Sequence, residues 1–263
     1  MDLVLGLTVK VAFFLLKWSW NFLRLIALFL IVLVGACCVG AIVEVVRAPE
    51  PVRYFSDPYV CGQISGYMVR YPKLYLKYWA EYEGKSSFEP GFIHNKKGCW
   101  ANLNSLTLVA SWPEMAPLGM DHGVLVYNSN FTGILMTIRP LLPIFKGMRR
   151  VLETKLEDLT AQQRTTVRYL NEMGLYHVRG NGPVFEDTYS EFYWSERGGQ
   201  VEHVIYCPWL DIQKEYSDCM ATFLVPELGG YMEVEFAFEK MAYWREVVDA
   251  SVAFMVEGLI GSN

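Results

Sequence analysis

The feature that most constrains this chain is an apolar stretch from Leu25 to Val43, nineteen residues without a charged side chain. A helix of this length rises roughly 28 Å, close to the thickness of the hydrocarbon core of a bilayer. Helices in soluble cores rarely continue so far without a polar face. The sequence therefore predicts a transmembrane helix over residues 25–46.

Basic residues before this stretch set its predicted direction. Lys10, Lys17 and Arg24 recur at intervals of seven, so a helix would carry them near one face. We interpret residues 1–24 as a basic amphipathic segment in the cytoplasm or at the inner membrane interface, because cytoplasmic flanks are enriched in Lys and Arg. The alternative is that this segment is the start of one long helix.

The remaining chain is then expected outside the cytoplasm. Residues 47–60, which contain Pro49 and Pro51, read as a linker, and residues 61–263 as an extracytoplasmic domain. The predicted location is the bacterial inner membrane, single-pass, with the amino terminus cytoplasmic and the C-terminal domain periplasmic. Cleavage and acylation of a lipoprotein at Cys37 stays open as an alternative.

Cysteines support an oxidising compartment. Four of the six lie in the domain, an even number, as a disulfide framework requires. Pairing of sequence neighbours would join Cys61 to Cys99 and Cys207 to Cys219. Four buried free thiols are the alternative. None of the four shows the two-residue spacing of a zinc knuckle, so no metal site is predicted.

Strand-like runs separated by turn residues predict antiparallel hairpins in the domain. The two clearest are Glu191–Ser195 with Gln200–Tyr206 and Met220–Val225 with Tyr231–Phe238. Two helices are predicted within Met148–Met173, with a strand over Val151–Leu159 as the alternative to the first. An amphipathic helix is predicted over Glu239–Leu259. The predicted fold class is α+β, an N-terminal transmembrane helix followed by an antiparallel-sheet domain with a C-terminal packing helix.

No catalytic signature stands out. The sequence contains no Gly-x-Ser-x-Gly elbow, no phosphate-binding loop and no His-Glu-x-x-His, and its four histidines lack metal-ligand spacing. We therefore predict that the chain is not an enzyme, with no catalytic, cofactor-binding or metal-binding residues and no cofactor. An envelope enzyme whose triad is assembled only in space is the alternative.

Acidic residues beside aromatic ones are the predicted binding surface. The net charge is −5, and such a domain lacks the basic face that nucleic acid requires, so no nucleic-acid partner is expected. Tyrosines beside carboxylates suit a protein interface with a basic partner, whereas an ordinary solvated surface is the alternative. The candidate partner-binding residues are Glu186, Asp187, Tyr189, Glu191, Tyr231, Glu233 and Glu235.

Three parts of the sequence carry a family resemblance: Tyr78–Ser87, Gly174–Gly180, and the closing strand and helix. In these parts and in its layout the chain resembles membrane-anchored periplasmic immunity proteins of type VI secretion antibacterial effectors. The resemblance implies membrane attachment through the N-terminal helix and neutralisation of a cognate effector, expected to have a basic active-site surface. A structural subunit of a bacterial envelope or secretion complex is the alternative function.

Overall fold

The protein is described by a computed structural model, which covers residues 28–29, 57–118, 133–181, 189–210 and 214–262. The chain divides into two compact units, Met1–Ser56 and Asp57–Asn263. Within the first unit the described residues are Leu28 and Phe29, both helical and exposed. The fold set out below is that of the second unit.

Strands dominate the second unit. They are β1 (Tyr59–Ile64), β2 (Tyr67–Pro72), β3 (Glu81–Tyr82), β4 (Leu103–Ser111), β5 (Gly133–Pro140), β6 (Arg168–Leu170), β7 (Leu175–Asn181), β8 (Tyr189–Arg197), β9 (Gln200–Leu210), β10 (Glu215–Tyr216), β11 (Cys219–Val225), β12 (Gly230–Phe236) and β13 (Leu259–Ser262). The helices are α1 (Met148–Lys155), α2 (Ala161–Arg164) and α3 (Trp244–Glu257), with 3-10 turns at Lys73–Tyr75, Phe92–His94, Pro226–Leu228 and Phe238–Tyr243.

These strands form two sheets. A three-stranded sheet has the order β1-β2-β13, and a ten-stranded sheet runs β3-β4-β5-β12-β11-β9-β8-β7-β6, with β10 paired to β9. Neighbouring strands pair antiparallel throughout both sheets. Antiparallel sheets commonly bury one face and leave the other partly in water, and β12 shows this pattern directly.

One face of the large sheet carries the main core. Met232, Val234 and Phe236 of β12 are fully buried, and they belong to one cluster with residues of α3 and of the three-stranded sheet. Helix α3 contributes Trp244, Val247, Val248 and Met255. Fully burying each such side chain stabilises the fold by about 1.5–3 kcal/mol.

The opposite face is covered at one end by α1. Met148 and Leu152 of this helix pack against Phe192, Trp194 and Val204, which point away from the main core. This second cluster involves β7, β8 and β9. The outward side chains of β5 and β12 belong to neither core cluster.

Two disulfide bonds are present, Cys61–Cys99 and Cys207–Cys219, with Cα atoms 4.5 and 4.2 Å apart. These are the pairs that joining sequence neighbours predicted, so the predicted disulfide bonds are confirmed. The first ties β1 to the long connection between β3 and β4, and the second joins β9 to the start of β11.

The predicted fold class is wrong. In place of α+β with a transmembrane helix, the described chain is mostly antiparallel β-sheet with one longer helix, α3, near its C-terminal end. The helices predicted within Met148–Met173 shrink to eight and four residues. The following Thr165–Val167 is β-branched, which disfavours helix, and the chain continues into β6.

The predicted membrane span is also corrected. Among the described residues no helix is long and apolar enough to cross a membrane. Even α3, with 14 residues, rises only about 21 Å, short of the roughly 30 Å of a hydrocarbon core. This finding contradicts the single-pass inner-membrane location. Except for Leu28 and Phe29, residues 25–46 lie outside the described part of the chain.

Candidate functional site

Strand β12 presents acidic side chains on the face opposite its buried one. Glu235 lies directly between Leu135 of β5 and Met220 of β11 in the strand register. Leu135 is only 3% exposed. A carboxylate between two apolar cross-strand neighbours loses hydration without receiving a hydrogen bond from either, so its charged form is disfavoured.

Two residues earlier, Glu233 has polar cross-strand neighbours, Thr137 and Thr222, which are both buried. The Thr137 hydroxyl lies 3.0 Å from that of Thr107 on β4. A guanidinium nitrogen of Arg139 lies 3.6 Å from the Glu233 carboxylate. Glu233 therefore has a counter-charge within the same face.

A third carboxylate, Asp218, precedes β11 and acts on Glu235 through its charge. Burial, followed by repulsion from Asp218 and Glu233, raises the pKa of Glu235 to about 7. Burial also raises the pKa of Asp218 to about 6, although the charge of Lys240 opposes this. We call Asp218, Glu233 and Glu235 the carboxylate cluster.

Cations only partly neutralise the carboxylate cluster. Among the described residues the cluster has one ion pair, Arg139 with Glu233; no Lys or Arg nitrogen lies within 4 Å of the Glu235 or Asp218 carboxylate. Tyr231 borders the cluster on the same strand face, and its ring stacks on Phe145 at 5.6 Å between centroids. The surface thus combines partly neutralised negative charge with an aromatic edge.

Glu191 of β8 lies in a different setting. Its side chain is 3% exposed, and its carboxylate accepts hydrogen bonds from Arg179 Nε at 2.7 Å and the Tyr216 hydroxyl at 2.8 Å. It also lies 2.6 Å from His177 Nε2. Because Arg168 donates to His177 Nδ1 at 3.4 Å, Nε2 must carry the ring proton and donate to Glu191.

We call these residues the Glu191 network. Burial alone would raise the pKa of Glu191, but hydrogen bonds from His177, Arg179 and Tyr216 lower it to about 2. Tyr189 lies next to the network: its ring stacks on Trp209 at 5.2 Å, and the Arg179 guanidinium lies 4.5 Å from its centroid. The network is fully paired, which is typical of a structural role.

The structure does not bring the seven predicted binding residues together. Tyr231, Glu233 and Glu235 share one face of the large sheet, whereas the register through β9 and β11 places Tyr189 and Glu191 on the other. Glu186 and Asp187 lie outside the described residues. Asp218 and Arg139 were not predicted as site residues. Their only signal in the sequence is that each lies two residues from a side chain on the outward face, Met220 and Thr137 respectively.

The histidines have partners that suit packing. His203 Nδ1 lies 2.8 Å from the Ser195 hydroxyl, and its ring packs edge-on against Trp244 at 5.2 Å. His203 and Asp249 line a groove of about 450 Å³, but Ser195 is 8% exposed and does not line it. A nucleophile needs access to its substrate, so this Ser–His pair is not arranged for acyl transfer.

The described residues also contain no group of three or more His, Cys, Asp or Glu side chains that could hold a metal ion. His94 lies in the 3-10 turn after β3, and His122 lies outside the described part of the chain.

Comparison with known proteins gives one structural neighbour. No family model matches the chain, and no curated protein matches it. A solved structure to which the fold is similar is Smlt3025, an immunity protein of the Stenotrophomonas maltophilia type IV secretion system. The TM-score is 0.46 and the identity 14%, over 76% of this chain and 93% of that one.

The neighbour is an immunity protein, but of a type IV system, whereas the sequence resemblance concerned type VI. Similarity at this level establishes no function for this chain.

Proposed function

We propose that this protein is an immunity protein, a binding module that neutralises a cognate secreted antibacterial effector by covering its active surface. The effector surface is proposed to be basic. In this proposal the domain performs no reaction of its own, and its histidines have structural roles.

The observation that carries the proposal is the carboxylate cluster. Glu235 stands between apolar neighbours, repelled by Asp218 and Glu233, in an arrangement that costs the free domain stability. A lysine or arginine from a partner would relieve this repulsion on binding, which is a source of affinity and of specificity. Perturbed carboxylates of this kind concentrate at functional sites.

The disulfides fit the same proposal. Two disulfide bonds in one domain indicate folding in an oxidising compartment, where such bonds form and persist. An effector delivered from outside the cell enters such a compartment first.

A protection assay tests the proposed function. Cells lacking the protein should become sensitive to the secreted effector encoded beside its gene, and the wild-type protein should restore growth. The variant Glu233→Lys/Glu235→Lys should fail to protect, because it turns a complementary surface into a repulsive one.

The matched control is Glu202→Lys, a strand glutamate paired with Arg197 at 3.3 Å outside the cluster. This variant should protect as well as the wild type. Unchanged sensitivity of the deletion strain would overturn the proposed function. Protection by the double lysine variant would instead remove the carboxylate cluster as its site.

A further inference from the structure

The connection from the end of the first 3-10 turn to β4 exposes large apolar side chains. We call residues 77–100 the aromatic loop. Five of its side chains are more than half exposed: Tyr78 at 54%, Trp79 at 58%, Phe88 at 94%, Ile93 at 59% and Trp100 at 68%. Together these five side chains expose on the order of 500 Å² of apolar surface.

The loop is held in a defined conformation. The Asn95 side chain donates to the backbone oxygens of Tyr82 at 3.0 Å and Glu83 at 3.1 Å, and Cys99 is joined to Cys61. Phe88 lies in a turn closed by Glu89, whose carboxylate accepts from Ser86 N at 3.0 Å. Preorganised display of apolar side chains lowers the entropic cost of binding.

Charge distinguishes this loop from the rest of the protein. Residues 77–100 contain four lysines, three glutamates and no arginine, a charge of +1 within a chain of −5. The three carboxylates each accept hydrogen bonds from groups at residues 86–102. Lys96 is exposed, and Lys97 Nζ lies 5.7 Å from the Trp79 ring centroid. Cationic groups therefore lie beside some of the apolar side chains, Lys77 near Tyr78 and Lys97 near Trp79.

We propose that the aromatic loop docks on an anionic lipid surface, which it touches without crossing. Tryptophan rings settle at the head-group level of bilayers, while lysine stems lie along apolar surface and extend their ammonium groups to lipid phosphates. Protein interfaces instead enrich arginine and deplete lysine. Four lysines without arginine therefore favour a lipid surface over an acidic protein.

The aromatic loop is proposed to bind a different partner from the carboxylate cluster. An anionic membrane attracts the lysines and repels Asp218, Glu233 and Glu235. The lipid proposal and the proposed effector binding are thus independent, and each can fail without the other.

A local probe on the full chain tests the proposal. Phe88→Cys carries a polarity-sensitive fluorophore in a Cys37→Ser/Cys38→Ser background, and Asn171→Cys carries the same label as control. Asn171 is exposed next to β6, at the opposite edge of the ten-stranded sheet. The labelled proteins are mixed with vesicles of phosphatidylglycerol and phosphatidylethanolamine, or of phosphatidylcholine alone. Each label reports only its own surroundings, so binding through another segment leaves it unchanged.

The label at position 88 should shift to shorter wavelength with anionic vesicles and be quenched by a lipid-soluble quencher, while the label at 171 stays unchanged. Lys96→Gln should weaken the response about fivefold, since each lysine near an anionic surface contributes about that factor.

No shift at position 88 in samples whose protein sediments with anionic vesicles overturns the proposal. So does an equal shift at positions 88 and 171. A label that responds to poly-glutamate but not to the vesicles identifies an acidic protein as the partner and equally overturns it.

Discussion

Replacing Glu235 by glutamine should stabilise the domain at neutral and higher pH. The carboxylate is half-buried between Leu135 and Met220 and is repelled by Asp218, and its pKa rises from 4.5 to about 7. At 1.36 kcal/mol per pH unit this corresponds to about 3 kcal/mol against the ionised folded state. Because the side chain remains partly hydrated and the amide must also be buried, we expect a gain of about 1–2 kcal/mol.

The sign of the pH dependence follows from the raised pKa. Below the unfolded value of 4.5 the wild-type carboxyl is protonated in both states and the variant should gain little. As pH rises toward about 7, the unfolded chain releases this proton and the folded chain retains it, so the wild type loses stability. The advantage of Glu235→Gln should therefore grow between these values and then level off.

Urea unfolding at fixed ionic strength, repeated from about pH 4 to pH 8, measures this difference. Glu202→Gln is the matched control, because its carboxylate is paired with Arg197 and lies outside the cluster. A variant less stable than the wild type at pH 8, or a difference that does not change with pH, would show that ionisation of Glu235 does not destabilise the folded domain. The charges of Asp218 and Glu235 repel each other, so the double variant Asp218→Asn/Glu235→Gln should gain less stability than the sum of the two single variants.

Three further predictions concern the frame of the fold. Glu191→Ala should lower the free energy of unfolding in urea by about 1–3 kcal/mol, because it leaves the buried Nε2–H of His177 without an acceptor and removes the counter-charge of Arg179, whose side chain is exposed. It should also flatten acid unfolding, since the stability from this lowered pKa is present above 4.5 and lost as pH falls toward about 2. Replacing Cys207 and Cys219 by alanine should lower the free energy of unfolding by about 3 kcal/mol, and replacing Cys61 and Cys99 should lower it by about 4 kcal/mol, because the second bond closes a longer loop. Equal or reversed losses would show that loop length does not set the stabilisation. Tyr71→Phe should cost about 1–2 kcal/mol by removing the hydroxyl that donates to Met255 O at 2.5 Å, and an unchanged midpoint would show that this bond contributes nothing.

Alternation along single strands was readable from the sequence. In the sequence of β12, the apolar residues Met232, Val234 and Phe236 alternate with Glu233 and Glu235, and the structure buries the first set and leaves the second partly exposed. The two-residue period is a local property of the chain, so it needs no knowledge of the partner strands.

Features that depend on which strands pair in the sheet could not be predicted from the sequence. The pKa of Glu235 is raised because its cross-strand neighbours are Leu135 and Met220. These two residues belong to strands that are 100 and 15 residues away in sequence, respectively. The separation of Tyr189 from Tyr231 onto opposite faces likewise follows from the register through β9 and β11. Sequence periodicity assigns relative faces within a strand but not between distant strands.

One hairpin turn lies inside a run of residues that resembles a single strand. The run from Ile64 to Arg70 has the composition of one strand, whereas the chain reverses at Ser65 and Gly66 to form the β1–β2 hairpin. Both residues have positive φ, 49° and 88°, and the glycine tolerates this at no steric cost. A Ser-Gly pair inside an apolar run is a turn signal in its own right.

The most direct test of the central claim is the affinity of the purified protein for the effector encoded beside its gene, measured by calorimetry for wild type, Glu235→Gln and Glu202→Gln. Loss of a desolvated charge partner should weaken binding at least about 30-fold for Glu235→Gln and leave Glu202→Gln unchanged. If Glu235→Gln weakens effector binding and also stabilises the free domain, the Glu235 carboxylate contributes to binding at the expense of stability. Wild-type affinity in Glu235→Gln would contradict the account.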